Sequence, residues 1–398
     1  MSPDSSRQRD SCIGLLVSSK MNFLVKKTIL LLAILAGTPM IKAAEPSISS
    51  KSFGTTADGQ KVTLFTLKNS KGASASISNY GGIVTSLVMP DRNGKFEDIV
   101  LGFRTLPEYE KKSPYFGCLV GRYGNRIAKG TFKLGGTAFH LPINNAPNSL
   151  HGGLRGFDKV LWEAVPSVNQ QGASLQLTYN SKNGEEGYPG NLSVTATYTL
   201  TNKNELKLVY RAKTDSPTII NLTHHSYFNL AGQGRGDILG HLVTLHSSKF
   251  TPVDKNLIPT GKIASVRGTP FDFRKPTTIG ARISQSDQQL KFANGYDHNW
   301  VADKLPGHLG VIARVDEPGS GRIMEVLSTE PGVQFYSGNF LDGTLTGKGG
   351  KIYNFRYGFC FEPQHFPDSP NHRNFPSTVL KPGQTYKNTI IYRFSTAR

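Results

Sequence analysis

Cysteine is scarce. The chain of 398 residues holds only Cys12, Cys118 and Cys360. That excludes a disulfide-stapled scaffold and a cysteine-ligated zinc centre. Cys118 and Cys360 sit in apolar, strand-like surroundings and are expected to be buried free thiols. Long apolar runs are scarce too. The main one, Thr28–Gly37, is too short for a comfortable membrane span. It follows Lys26-Lys27 and precedes Ile41-Lys-Ala43-Ala44, the basic, apolar, small order of an export leader. Residues 1–43 are therefore expected to be a leader, with the true start at Met21 and cleavage after Ala43. The body from residue 47 to 398 is expected to be exported to a periplasm or beyond, with no membrane span.

Clustered positive charge is also missing. The formal net charge is +18, and six basic and two acidic residues precede residue 44, so the body carries +14. Its Lys and Arg residues are scattered, with no basic run of the kind that grips nucleic acid. The excess acts on solubility and weak association. No Gly-x-Gly-x-x-Gly follows a strand and no phosphate loop occurs, so no nucleotide cofactor is expected. The Gly-x-Ser-x-Gly nucleophile elbow is absent as well. Helical periodicity is sparse, and only Leu106–Lys112 and Thr278–Ser284 are read as short helices.

What the chain does have is alternation. Leu192, Val194, Ala196, Tyr198 and Leu200 fall on one face of a strand, with serine and threonines on the other. Ser174–Asn180 and Glu205–Arg211 repeat the pattern, and Asn388–Phe394 reads as a closing strand. Asp58-Gly59, Asn93-Gly94, Gly135-Gly136, Asn183-Gly184 and Pro382-Gly383 supply turns between runs. Many strands, few helices and no internal linker predict one all-β domain, a large antiparallel β-sandwich.

Five polar groups stand out. Glu362 lies in Gly358-Phe-Cys-Phe-Glu-Pro-Gln-His, an acid in an apolar run. Desolvation there would raise its pKa and make it a useful proton acceptor, whereas a strand-end ion pair would make it structural. Gly121-Arg-Tyr-Gly-Asn125-Arg126 joins backbone freedom to a guanidinium fork. His151 precedes Gly152-Gly153, either as a site residue or as a turn histidine. His224-His225 are adjacent on a strand and face opposite sides, so they make a poor metal pair. His298, His365 and His372 are scattered, and no metal site is expected. Asn294-Gly-Tyr-Asp297-His-Asn-Trp300 holds residue types that grip a sugar, or an Asx turn.

These clusters, in this order, resemble the aldose 1-epimerase (galactose mutarotase) family. The matching stretches include Asn79–Ile83, Asp98–Phe103, Tyr115–Gly130, Asn148–Phe157, Asn221–Gly232, Tyr296–Trp300, Pro331–Gly343 and Gly358–Lys381. They span roughly residues 50 to 396. The resemblance implies a large antiparallel sandwich and interconversion of the α and β anomers of free hexoses such as galactose and glucose. It implies Glu362 as general base and His225 as general acid, with His225 protonated and Glu362 ionised at the start. Asn125, Arg126, His151, Asp297 and Gln334 would hold the sugar. No metal or redox cofactor is implied. A small-molecule aldose is the expected partner, and the protein is expected as a monomer or weak dimer. His224, Glu330 and Pro363 depart from the family pattern and leave the preferred aldose open.

Three other functions compete. A sugar-binding protein could use the same scaffold. A hexose-phosphate epimerase would need an added Arg/Lys cluster. A glycosidase would need two carboxylates, for which Glu362 and Asp297 could be mistaken.

Overall fold

Sustained alternation becomes strand in the computed structural model, which describes residues 45–397. The expected leader lies outside these residues. Leu192–Thr201 buries Leu192, Val194, Ala196, Tyr198 and Leu200 against the core. It pairs antiparallel with Gly172–Ser181 on one side and Glu205–Thr214 on the other. Glu163–Asn169 extends this meander. The closing strand, Tyr386–Thr396, inserts between Glu205–Thr214 and Arg322–Ser328. Gly310–Asp316, Leu242–Leu245 and Thr277–Thr278 complete a nine-stranded sheet.

Two five-stranded sheets accompany it. The first is a run of consecutive strands from Ser47–Thr55 to Phe96–Asp98. The second orders Ala264–Ser265, Lys249–Thr251, Asp297–Val301, Gly332–Tyr336 and Cys360–Gln364. One apolar cluster joins all three, running from Phe65 and Leu67 through Leu175, Leu208, Trp300 and Phe361 to Phe394. Each such side chain contributes about 1.5–3 kcal/mol on burial. The fold is the predicted all-β, antiparallel architecture.

Helices are few, as expected. Leu106–Lys112 is a helix opened by a capping box between Thr105 and Glu108. The second expected helix, Thr278–Ser284, is a correction. Thr277–Thr278 pairs with Leu242–Val243, and only a 3-10 turn, Ile279–Ala281, follows. Ile279 and Ile283 are both buried, which mimics helical spacing in the sequence. A helix at Gln288–Ala293, capped by the Asp287 side chain, was not foreseen. Among the described residues no helix is long and apolar enough to cross a membrane. Cys118 and Cys360 are buried free thiols.

Candidate active site

Three adjacent strands make one side of the site: Asp297–Val301, Gly332–Tyr336 and Cys360–Gln364. Their register sets Asn299 opposite Gln334, and Gln334 opposite Glu362. Alternation sends His298, Trp300, Phe335 and Phe361 to the core face, where Phe335 and Phe361 stack at 4.9 Å. Asp297, Gln334 and Glu362 take the other face. Pro363 is tolerated because Cys360–Gln364 is an edge strand of its sheet.

The facing wall comes from two loops that lock each other. Asn125 and His151 both have left-handed backbone, with φ of 65° and 50°. The His151 N–H donates to the Asn125 carbonyl (3.1 Å), and the Asn125 N–H donates to His151 Nδ1 (3.2 Å). Neutral His151 therefore carries its hydrogen on Nε2. Gly152 is needed behind it, because a Cβ there would lie 1.9 Å from the Gly121 carbonyl oxygen. Arg126 donates from Nε to Asn145 Oδ1 (3.1 Å), and its Nη1 lies 3.7 Å from Asp297 Oδ2. Gln334 Nε2 donates to the other Asp297 oxygen (2.7 Å).

The two adjacent histidines part company, as predicted. His224 turns into the core between Tyr198 (3.1 Å from Nδ1) and Ser226 (2.7 Å from Nε2). His225 turns to the site. Its Nε2 lies 3.7 Å from Glu362 Oε1, and its Nδ1 lies 3.5 Å from Cys360 Sγ. A cavity of about 510 Å³ is lined by Asn125, Arg126, His151, His225, Asp297 and Glu362, among others. That size suits a small ligand held by a few convergent polar groups.

Burial sets the charges. It pushes the Glu362 carboxyl well above the usual range; Asp297 adds to the rise and Arg126 opposes it. It pushes His225 down to about 4 and His151 well below its ordinary value. Asp297 is raised by burial, against the pull of Arg126 and Gln334. The 3.7 Å approach of His225 to Glu362 is within ion-pair range, yet burial disfavours charge on both partners. Both shifts favour the uncharged forms, a protonated Glu362 carboxyl beside a neutral His225 imidazole. The starting arrangement expected from the sequence, a protonated His225 facing an ionised Glu362, runs against both directions. The Oε2 of Glu362 and the Oε1 of Gln334 are buried and accept no hydrogen bond from the protein.

Of the residues named from the sequence, Asn125, Arg126, His151, His225, Asp297 and Glu362 all border the cavity. Gln334 is not among its lining residues and instead orients Asp297. Ligand-capable atoms of His151, His225 and Glu362, which the sequence placed in one site without reading them as metal ligands, lie within 4.8 Å of one another. With Nδ1 of His151 occupied by Asn125, its Nε2 presents a hydrogen to the cavity rather than a lone pair for a metal. Tyr115, Tyr227 and Tyr336 also line the cavity and were not foreseen. Tyr115 stands in one of the flagged stretches, but its ring carries no chemistry that sequence spacing would expose.

The aldose 1-epimerase family model matches residues 63–393. The chain is 50% identical to galactose mutarotase of Rattus norvegicus over 339 residues, 85% of this chain and 96% of the rat protein. It is 35% identical to aldose 1-epimerase of Escherichia coli (strain K12), with 85% and 96% covered. The crystal structure of galactose 1-epimerase from Lactobacillus acidophilus NCFM superposes with a TM-score of 0.78 at 28% identity, covering 88% of this chain and 99% of that one. The chain belongs to the aldose 1-epimerase family and is an isomerase of that type.

Proposed function

We propose that this aldose 1-epimerase opens and recloses the ring of free hexoses such as galactose and glucose, with Glu362 as base and His225 as acid. One observation carries the residue assignment: the two groups face one cavity 3.7 Å apart, with proton affinities shifted in opposite directions. Environments that drive two titratable groups apart mark acid and base roles.

Sugar hydroxyls entering the pocket donate to the Glu362 carboxyl, which borders the cavity. Hydrogen bonds to a carboxylate favour its ionised form, so the proton that burial holds on Glu362 passes to His225. Glu362 then takes the proton of the anomeric hydroxyl. The O1–H electrons form the C1=O1 double bond, and the C1–O5 pair collapses onto O5, which takes the His225 proton. Rotation about C1–C2 turns the aldehyde, and reversal of both transfers closes the other anomer. Proton count is conserved throughout. His151 Nε2–H and the Arg126 guanidinium are placed to steady charge developing on the sugar oxygens. Asp297, held by Arg126 and Gln334, accepts from ring hydroxyls rather than acting as a second glycosidase carboxyl. The cationic residues lining the cavity are Arg126 and Lys255. Arg126 is already engaged by Asn145 and Asp297, a poor provision for a sugar phosphate.

Polarimetry on freshly dissolved α-galactose tests the assignment. Glu362→Gln and His225→Asn should each lose about 10²–10⁴ in rate, with circular dichroism unchanged. Near-normal rates in either folded variant would contradict it. The same proposal has the mature enzyme exported, as the Lys26–Ala43 pattern implies. Amino-terminal sequencing of the exported protein should find Ala44 first.

A further inference from the structure

Two aromatic rings flank His225 and take part in no step above. Tyr115 and Tyr227 lie 5.8 and 5.1 Å from it between centroids, inclined by 29° and 27°. Tyr115 also packs on His151 at 4.6 Å, and His151 meets His225 edge-on at 5.1 Å. One tyrosine thus contacts both imidazoles. Its backbone φ is 68°, uncommon outside glycine. Cys118 donates both its N–H (3.4 Å) and its Sγ–H (3.3 Å) to the Tyr115 carbonyl. The Tyr227 hydroxyl donates to the Pro114 carbonyl (2.9 Å). Gly117 N–H donates to the His225 carbonyl (2.9 Å), and His225 N–H donates to that of Cys118 (3.0 Å). The loop carrying Tyr115 is therefore tied to the backbone of the histidine it packs against.

Tyr115 is also a partition. Behind it lies a second cavity of about 190 Å³, bordered by Glu110, Lys111, Asp158 and Lys159. Tyr115 is the residue that borders both cavities. Asp158 is buried, its Oδ1 accepts no hydrogen bond, and burial raises its carboxyl to about 6.

We propose that Tyr115 is a positioning residue for the acid–base pair, its ring fixing the imidazoles of His225 and His151 and walling them off from the charged cavity behind. The role presupposes the ring-opening chemistry assigned above. The titratable groups around His225 are Glu362 and Cys360 from the edge strand, His151 from its loop, the phenols of Tyr115 and Tyr227, and His224 beside it. Arg126 and Asp297 act on it through Glu362. Opening the partition admits water beside the imidazole. Solvation favours the imidazolium, so the His225 titration should move up.

The experiment compares Tyr115→Phe, Tyr115→Leu and Tyr115→Ala by polarimetry and by NMR titration of His225 in the sugar-free protein. Tyr115→Phe should keep kcat within about 3-fold and leave the titration unchanged. Tyr115→Ala should lose about 10- to 100-fold in kcat with little change in KM. Its His225 titration, and the acid limb of its rate profile, should move toward the ordinary histidine value. Tyr115→Leu keeps bulk but not the ring plane, and gives the same reading if the alanine variant fails to fold. A wild-type titration and kcat in both Leu and Ala variants would overturn the role. So would a rise in KM alone, which would make Tyr115 a platform for the sugar. A wild-type protein without mutarotase activity would overturn the catalytic assignment instead, and the sugar-free titration would still decide whether Tyr115 shields His225.

Discussion

Among the described residues, two Glu–His pairs behave oppositely, although both glutamates are buried. Glu330 and His365 meet at 2.5 Å between Oε2 and Nδ1. The second Glu330 oxygen accepts from Tyr386 (3.3 Å), and the His365 N–H donates to Asn221 (2.9 Å). Burial pushes His365 down, but the charge and hydrogen bond of Glu330 more than offset this and hold it above its ordinary value. Glu362 and His225 are held 3.7 Å apart, with one carboxylate oxygen unbonded, and burial prevails on both. The same residue types make a strut where their hydrogen bonds close on each other. The pair proposed to be reactive is the one the fold keeps apart, with an acceptor left open.

That contrast can be broken at several points. The largest effect is expected from the reactive pair. The double variant Glu362→Gln/His225→Asn should be little slower than either single variant, because the pair acts as a unit. Multiplied losses measured by polarimetry would separate the two roles. Next comes Glu330→Gln, which should cost about 1–3 kcal/mol of stability by denaturant titration while leaving mutarotation near normal.

The pH behaviour should differ between histidines as well. His224 and His298 are pushed down to about 3 by burial. Their folded values lie below the unfolded ones, so the stability they contribute is present above the ordinary value of 6.5 and lost as pH falls toward 3. Each loses about 1.4 kcal/mol per pH unit across that window. His365, shifted upward, contributes below its ordinary value and loses that contribution as pH rises through its raised value. Thermal melting should therefore fall steadily on acidification below about pH 6.5. In Glu330→Gln the gap from wild type should narrow on the alkaline side. The smallest effect is expected in the rate profile, an acid limb near pH 4 set by His225 and an alkaline limb set by the raised Glu362. A profile lacking either limb would contradict the acid and base roles proposed for the two groups.

The strands were legible because alternation is local: Leu192–Leu200 states its own face residue by residue. Thr278–Ser284 misled because Ile279 and Ile283 are buried at helical spacing, although the chain there first pairs as a strand with Leu242–Val243. The residues bordering the cavity were legible where a polar type broke an apolar pattern, as Glu362 and Asp297 do. Glu330–His365 was not, since its partners lie 35 residues apart and meet only in the fold. Gln334 was expected in the cavity wall, but its bond to Asp297 depends on strand register. Tyr115 reads as one more apolar ring until its contacts with two imidazoles are seen.

The most direct test is the mutarotation rate of Glu362→Gln beside that of Glu330→Gln at one pH, each with its unfolding curve. The account predicts a folded but nearly inactive Glu362 variant and an active but destabilised Glu330 variant. An active Glu362→Gln enzyme, or an inactive Glu330→Gln enzyme with unchanged stability, would contradict it.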